Sequence, residues 1–223
     1  MTEVSSLTGR LLVATPVLAD PNFDRAVVLL LDHDVEGSLG VVLNRPTPVD
    51  VVDILEPWAA LAGEPGVVFQ GGPVSLDAAL GVAVVPASQG SKDAAGVAAE
   101  PGERGADGPD GEDAAAADGS GEEARDGPLG WRRVHGAIGL VDLEAPPELL
   151  AAELGSLRIF AGYAGWGPGQ LEKELSEGAW YVVESEPGDV SSPSPERLWR
   201  SVLRRQRSEL AMVATYPDDA SLN

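Results

Sequence analysis

The 223-residue chain contains no cysteine and only two histidines, His33 and His135. The first absence excludes disulfides, thiolate nucleophiles, iron–sulfur clusters and cysteine-ligated zinc. The second leaves too few imidazoles for a histidine-built metal shell, so neither a metal nor a cofactor is expected. Basic residues are scarce: 15 Lys and Arg stand against 36 Asp and Glu, a net charge of −21. Such a surface repels phosphate backbones and anionic membranes, which disfavours direct nucleic-acid binding and membrane association. No apolar run approaches the roughly 20 residues that span a bilayer. The first ten residues, MTEVSSLTGR, have neither the basic nor the apolar region of a signal peptide. The expectation is a cytoplasmic protein. Also missing are the G-x-G-x-x-G and Walker spacings of nucleotide loops, the G-x-S-x-G elbow and a Ser-x-x-Lys pair. No catalytic set assembles from the sequence.

Two folded blocks, 7–86 and 131–216, flank an acidic stretch over 87–130, and 217–223 form a tail. Between Asp93 and Asp126 there are eleven acidic residues against Arg104 and Arg125, and no aromatic residue occurs between Phe69 and Trp131. A segment of this composition cannot bury enough apolar surface to offset its ordering entropy, and it reads as disordered. In the first block, strands are expected at Arg10–Ala14, Ala26–Leu31, Leu39–Leu43, Val67–Gln70 and Leu80–Val85. The continuous run AVVLLL at Ala26–Leu31 marks a strand buried on both faces. Helical spacing of Val51, Ile54, Leu55 and Trp58 predicts a helix over Val49–Trp58. In the second block, strands are expected at Ala137–Leu143, Leu157–Tyr163 and Trp180–Glu184, and helices at Pro146–Leu154, Pro168–Glu177 and Glu196–Arg207. Pro187–Pro195 reads as a loop and Ala211–Tyr216 as a last strand or extended segment. The irregular alternation points to an α/β or α+β domain with a mixed sheet flanked by helices.

Four stretches carry residues suited to a site. Asp32-His33-Asp34 follows the buried strand, and a histidine flanked by carboxylates at a strand end can act as a base or settle a polar turn. In Asn44-Arg45-Pro46, the proline holds Arg45 extended, ready to grip a carboxylate or phosphate or to pair internally. Gly71-Gly72-Pro73 can form an anion-binding nest or a tight turn. The richest stretch is FAGYAGWGPGQLEKEL, Phe160–Leu175. It reads as a strand entering a helix through Gly167 at the N-cap and Pro168 at the first helical position, with the Gln170 amide folding back onto the cap. Gly169, Gln170 and Leu171 would present N–H donors, and Trp166 is either an apolar wall or a core residue. The helix Glu196–Arg207 places Arg197, Arg200 and Arg204 on one face, with Arg205 adjoining, the one candidate for nucleic acid.

Taken together, LLVATPVLADPNFDRAVVLLLDH (Leu11–His33), GSLGVVLNRP (Gly37–Pro46), FQGGPV (Phe69–Val74) and FAGYAGWGPGQLEKELSEGAW (Phe160–Trp180) resemble the AlgH/YqgE family of bacterial proteins. The four motifs occur in family order and span both blocks. The resemblance implies a compact α/β fold with a barrel-like mixed sheet, and some members carry a transcriptional-regulator label. It brings no catalytic residues. The matching positions are His33, Asn44, Arg45, Pro46, Gly71, Gly72, Pro73, Gly165, Trp166, Gly167, Pro168, Gly169, Gln170 and Leu171. The acidic insertion and the Arg-rich helix depart from shorter members and resemble an actinobacterial branch. The leading expectation is a non-enzymatic regulatory or binding protein that acts through a protein partner or a small anionic ligand. The alternatives are a small-molecule enzyme, such as a hydrolase, built on His33 and the Gly-rich helix start, and direct DNA binding through the Arg-rich helix.

Overall fold

Strands β1 (Arg10–Ala14), β2 (Val27–Asp34) and β3 (Gly37–Val42) set the frame. The computed structural model describes residues 6–18, 20–86, 128–207 and 209–217, and these belong to one unit. The acidic stretch assigned to 87–130 lies outside the described residues except for its last three, and the tail assigned to 217–223 except for Pro217. Val27 to Leu31 are all buried, as an apolar run without alternation requires when a sheet is covered on both faces. Alternate residues serve two cores. Leu11, Val13, Val27, Leu29 and Leu31 join one cluster, while Leu12, Ala14, Val28 and Leu30 join another.

Seven further strands complete the sheet: β4 (Pro46–Asp50), β5 (Val67–Gln70), β6 (Val74–Val84), β7 (Trp131–His135), β8 (Ile138–Val141), β9 (Ser156–Trp166) and β10 (Trp180–Glu184). Their order is β10-β1-β2-β3-β9-β6-β8-β7, and β5 joins β4 to β9. All pairs are antiparallel except β5 with β9, so the sheet is mixed, curled and sparsely covered by helices, an α+β fold. The eleven-residue β9 is the spine. It pairs with β6 between Ser156 and Tyr163, with β5 at Phe160 and Ala161, and with β3 over Ala164–Trp166.

The short helices are α1 (Val51–Ile54), α2 (Glu56–Ala59), α3 (Gln170–Ser176), α4 (Pro187–Val190), α5 (Leu198–Arg204) and α6 (Leu210–Val213). Helix α3 covers the face of Leu12, Val28 and Leu30 through Leu171. Helix α5 covers the opposite face through Leu198, Trp199, Val202 and Leu203. A third cluster, with Val51, Trp58, Trp131, Leu157 and Ile159, packs beside α1 and α2.

Several elements differ from the sequence reading. The helix expected over Val49–Trp58 is a strand end followed by two single turns. Pro46 and Pro48 favour extended backbone, and Pro57 lacks the N–H that a continuous helix would donate to Asp53. The helix expected at Pro146–Leu154 reduces to a 3-10 turn at Pro147–Leu149, and only Leu150 of that stretch is fully buried. The segment Ala211–Tyr216 is not a strand. Leu210, Val213 and Ala214 have helical spacing and place α6 against the core. Strand β7 and the first half of β6 were not expected. Residues Val74 to Ala79 of β6 are exposed and shift register against β9, so they carry no buried alternation to read. Among the described residues no helix is long and apolar enough to cross a membrane.

Candidate functional site

The sequence-predicted residues do not converge on one point. They divide between the α3 side of the sheet and a cleft beside β2 and α5.

On the α3 side, Trp166 ends β9 and is 5% exposed. Its ring lies 6.2 Å from Phe23 and 6.0 Å from Trp180. The indole N–H groups of Trp166 and Trp180 both donate to Glu174 Oε2, at 2.9 and 2.8 Å. Gln170 Nε2 donates to the other oxygen, Oε1, at 3.0 Å. The Gln170 carbonyl oxygen accepts the Gly167 N–H at 3.1 Å, so this side chain folds back as expected. The cap itself is two residues later than the sequence reading placed it. Gly169, not Gly167, is the N-cap, because its left-handed φ of 71° makes the bend into α3, and Pro168 precedes the cap. Glu174, the acceptor that unites this cluster, was missed. Its i,i+4 spacing from Gln170 was the available signal.

His33 lies on the same face through a register shift. The pairing slips between Leu30 and Asp32, so His33 stands opposite Ser38 instead of facing the α5 core. The buried imidazole makes a 2.7 Å hydrogen bond through Nδ1 to Ser38 Oγ, and Nε2 lies 3.7 Å from Glu172 Oε1. No group of three or more potential metal-ligating residues occurs among the described residues.

Asn44 and Arg45 lie near the other end of β2, about 20 Å from His33 along the strand at 3.3 Å per residue. Asn44 is buried. Its Oδ1 accepts the Val27 N–H at 2.9 Å and its Nδ2 donates to the Arg25 carbonyl at 2.8 Å. Arg25 has a left-handed φ of 49°, unusual for a non-glycine residue, and Asn44 holds its carbonyl in place. Arg45 is half-buried and donates to the Asp24 carbonyl. Gly71 and Gly72 sit where backbones touch. A Cβ on Gly71 would lie 2.3 Å from the Gly162 carbonyl oxygen, and one on Gly72 would lie 2.2 Å from the Tyr163 carbonyl. The Gly71 N–H donates to Ala161 at 2.8 Å and is therefore committed to the sheet.

Arg45 borders two clefts. The smaller, about 80 Å³, is lined by Asn22, Gln70, Gly72 and Pro73 with Arg45. The larger, about 210 Å³, is lined by Asp24, Arg25, Asn44, Arg45, Glu196, Trp199 and Arg200. Trp199 forms its floor. The Arg25 and Arg200 guanidiniums lie 4.8 and 5.8 Å from that ring, and the indole N–H donates to Ala14 at 2.9 Å. Arg25 was missed although it lies within the stretch Leu11–His33, because no local pattern marks an arginine before a buried strand as lining a cleft.

The four arginines of the expected basic face part company. Arg200 turns towards the cleft and the carbonyls of Ala214 and Tyr216. Arg205 grips both oxygens of Asp189, at 2.5 and 2.7 Å, and the Glu184 carbonyl at 2.8 Å. Burial acts to lower its pKa, but the hydrogen bond and charge of Asp189, with Glu186, hold it above the usual value. Arg197 and Arg204 remain exposed. A further arginine was not anticipated. Arg158 is 2% exposed, donates to the Glu64 and Ser192 carbonyls at 2.9 and 3.0 Å, and covers the Phe69 ring at 4.2 Å. Desolvation lowers its pKa to about 10.

A curled α+β sheet, short helices packed on it and glycines at backbone crossings define a fold class rather than a chemistry. The comparisons place the chain within it. The AlgH-like family model matches residues 11–105 and 108–211, and the chain belongs to that family. It is 77% identical to a UPF0301 protein of Streptomyces avermitilis, over 100% of this chain and 98% of the relative. It is 40% identical to a UPF0301 protein of Mycobacterium tuberculosis, over 96% and 90%. A crystal structure of a Corynebacterium diphtheriae protein superposes with a TM-score of 0.74 at 27% identity, covering 97% of this chain and 95% of that one. The solution structure of the AlgH protein from Pseudomonas aeruginosa, at TM-score 0.56 and 22% identity over 99% of both chains, shares the fold.

Proposed function

We propose that the chain is a non-enzymatic binding protein that holds a small anionic ligand in the cleft of Arg25, Arg45 and Arg200, and that any regulatory role runs through that ligand or a protein partner. The observation that carries this reading is the convergence of three guanidiniums, from the loop before β2, the turn between β3 and β4, and α5, on one cleft in a chain of net charge −21. Guanidinium forks suit carboxylates and phosphates. The left-handed backbone of Arg25, held by Asn44, is the kind of local strain that collects at binding sites. Asp24 and Glu196 also line the cleft, so the ligand has hydrogen-bond donors of its own beside its anionic group.

The test is calorimetric titration with inorganic phosphate and with small hydroxycarboxylates, against the wild type and Arg45→Ala. Binding by the wild type and a loss of about tenfold or more in the variant are expected, since charge-assisted hydrogen bonds contribute about 1.5–3 kcal/mol. Absence of binding by either anion class would remove this reading.

One observation favours a second reading, a small-molecule hydrolase. The Ser38 hydroxyl lies 2.7 Å from the His33 imidazole, beside the Gly-rich turn. A covalent fluorophosphonate adduct on Ser38, absent in His33→Asn, would support it; an unlabelled folded protein would dismiss it. Direct DNA binding has less to rest on, because Arg205 is taken up by Asp189 and Arg200 lines the cleft, so the four arginines do not form one continuous basic face.

A further inference from the structure

Three separate stretches of chain meet at the smaller cleft. Asn22 comes from the turn before β2, Arg45 from the turn between β3 and β4, and Gln70 and Gly72 from the end of β5 and the crossing that follows it. Their backbones are fixed. The Gln70 N–H donates to the Arg45 carbonyl at 2.8 Å, the Asn22 N–H to Asp20 Oδ1 at 2.8 Å, and the Gly71 carbonyl accepts the Val42 N–H at 2.8 Å. Their outward donors are uncommitted. Neither the Asn22 nor the Gln70 carboxamide has a hydrogen-bond partner among the described residues, and neither has the Gly72 N–H, although Gly72 is buried. A buried peptide N–H without an acceptor is rare in folded proteins. Arg45 donates through one Nη2 group to the Asp24 carbonyl, and a guanidinium has five donors. Donors from four residues therefore border one space. Among the described residues no carboxylate lines it, whereas Asp24 and Glu196 line the larger cleft. The volume, about 80 Å³, suits a headgroup, since pockets for drug-sized ligands run to about 300–1,000 Å³.

We infer that the smaller cleft is a second oxyanion subsite, in which a carboxylate or phosphate group seats against Arg45 and takes the Gly72 N–H and the Asn22 and Gln70 carboxamides as its neutral donors. It is separate from the site proposed above except for Arg45, which borders both clefts. The chemistry follows from the lining. A guanidinium fork binds the charge of a carboxylate or phosphate, and neutral donors around it match the remaining oxygens. The anion meets these groups without facing a carboxylate from the cleft wall. The backbone bonds that fix Gln70 to Arg45 and Asn22 to Asp20 hold the donors in place before the anion arrives, which lowers the ordering cost of binding. Of the two glycines read in the sequence as an anion-binding nest, Gly71 is committed to the sheet and Gly72 is the one that offers its N–H.

The experiment uses the full chain and two probes followed by NMR, inorganic phosphate and glycolate, which separate a phosphate from a carboxylate source. Saturable shifts of the Gly72 amide and of the Asn22 and Gln70 side-chain amides are expected with at least one probe. Asn22 and Gln70 are exposed, so their variants keep the fold. Affinity read at Gly72 should fall about two- to tenfold in Asn22→Ala and in Gln70→Ala. It should fall by more than about tenfold in Gln70→Glu, which keeps the shape and adds a like charge. The Trp199 indole N–H, on the floor of the larger cleft, reports that site separately. Shifts at Trp199 with none at Gly72 overturn the second subsite and leave the larger cleft in place. Binding read at Gly72 that is unchanged in all three variants overturns it as well. The absence of a saturable shift at either position, with both probes, overturns both readings.

Discussion

The tryptophan cluster under α3 and the arginine cleft beside α5 are built from the same loop. Phe23 packs against Trp166 and Trp180, while Asp24 and Arg25, its immediate successors, line the cleft. The first region is closed: both indole N–H groups and the Gln170 amide end on one carboxylate, Glu174. The second is open and lined by charge. The contrast separates two uses of distinctive residues. Glycines, tryptophan and proline crowded into Gly165–Gln170 solve a packing problem. The plainer Asn44-Arg45 pair, joined by Arg25, borders the open space.

The largest effect that could break this contrast is at Trp166. Trp166→Ala should cost about 3–5 kcal/mol of stability, since it empties a buried site and removes a ring contact with two neighbours. Urea unfolding measures it. A loss under about 1 kcal/mol would show that the ring serves something other than packing. Glu174→Ala should follow at roughly 2–3 kcal/mol, because it strands two indole donors, and Glu174→Gln should recover part of that loss by keeping one acceptor oxygen. Equal loss in both variants would point to charge rather than hydrogen bonding. Arg45→Ala should change stability by no more than about 0.5 kcal/mol, in keeping with a half-buried residue that lines a cleft. A large destabilisation would assign Arg45 to the fold and close the gap between the two regions.

The last expected change, at Arg158, is not a loss. This guanidinium is buried with carbonyl partners only, so Arg158→Met should be neutral or slightly stabilising, within about 1 kcal/mol. The sign of the pH effect follows from its pKa of about 10, below that of the free side chain. Below about 10 the folded and unfolded chains are both charged there, and burial costs its full amount. As pH rises above about 10 the folded form sheds its proton first, so this position gains stability relative to lower pH. Comparison of unfolding at pH 8 and pH 11 should show that increment in the wild type and its absence in the methionine variant. A marked loss of stability in the variant at pH 8 would mean that the carbonyl bonds outweigh desolvation.

The strands with buried alternation or continuous apolar runs were legible. Arg10–Ala14 and Val67–Gln70 coincide with β1 and β5, and Trp180–Glu184 with β10. Segments whose conformation depends on a distant partner were not. The first half of β6 is exposed and irregular, and the stretch after Leu210 is helical only because three apolar residues meet the core. The candidate residues were legible one by one, but their grouping was not. His33 reaches α3 because the β2–β3 register slips at Leu30, and no local pattern announces which side of a bulge a histidine will take.

By itself the sequence determined what chemistry is available: no thiol, two imidazoles, and a few arginines in an acidic chain. It also supplied glycines at Gly71 and Gly72, read as a nest or a tight turn; that backbones touch there, where only a residue without Cβ fits, came from the structure. The tertiary structure alone decided which charges share a space. Arg25, Arg45 and Arg200 lie far apart along the chain and meet only because β2, β3 and α5 pack together. Side-chain identity is local, but proximity across a sheet is set by register and helix placement, which the summed burial of the whole core selects.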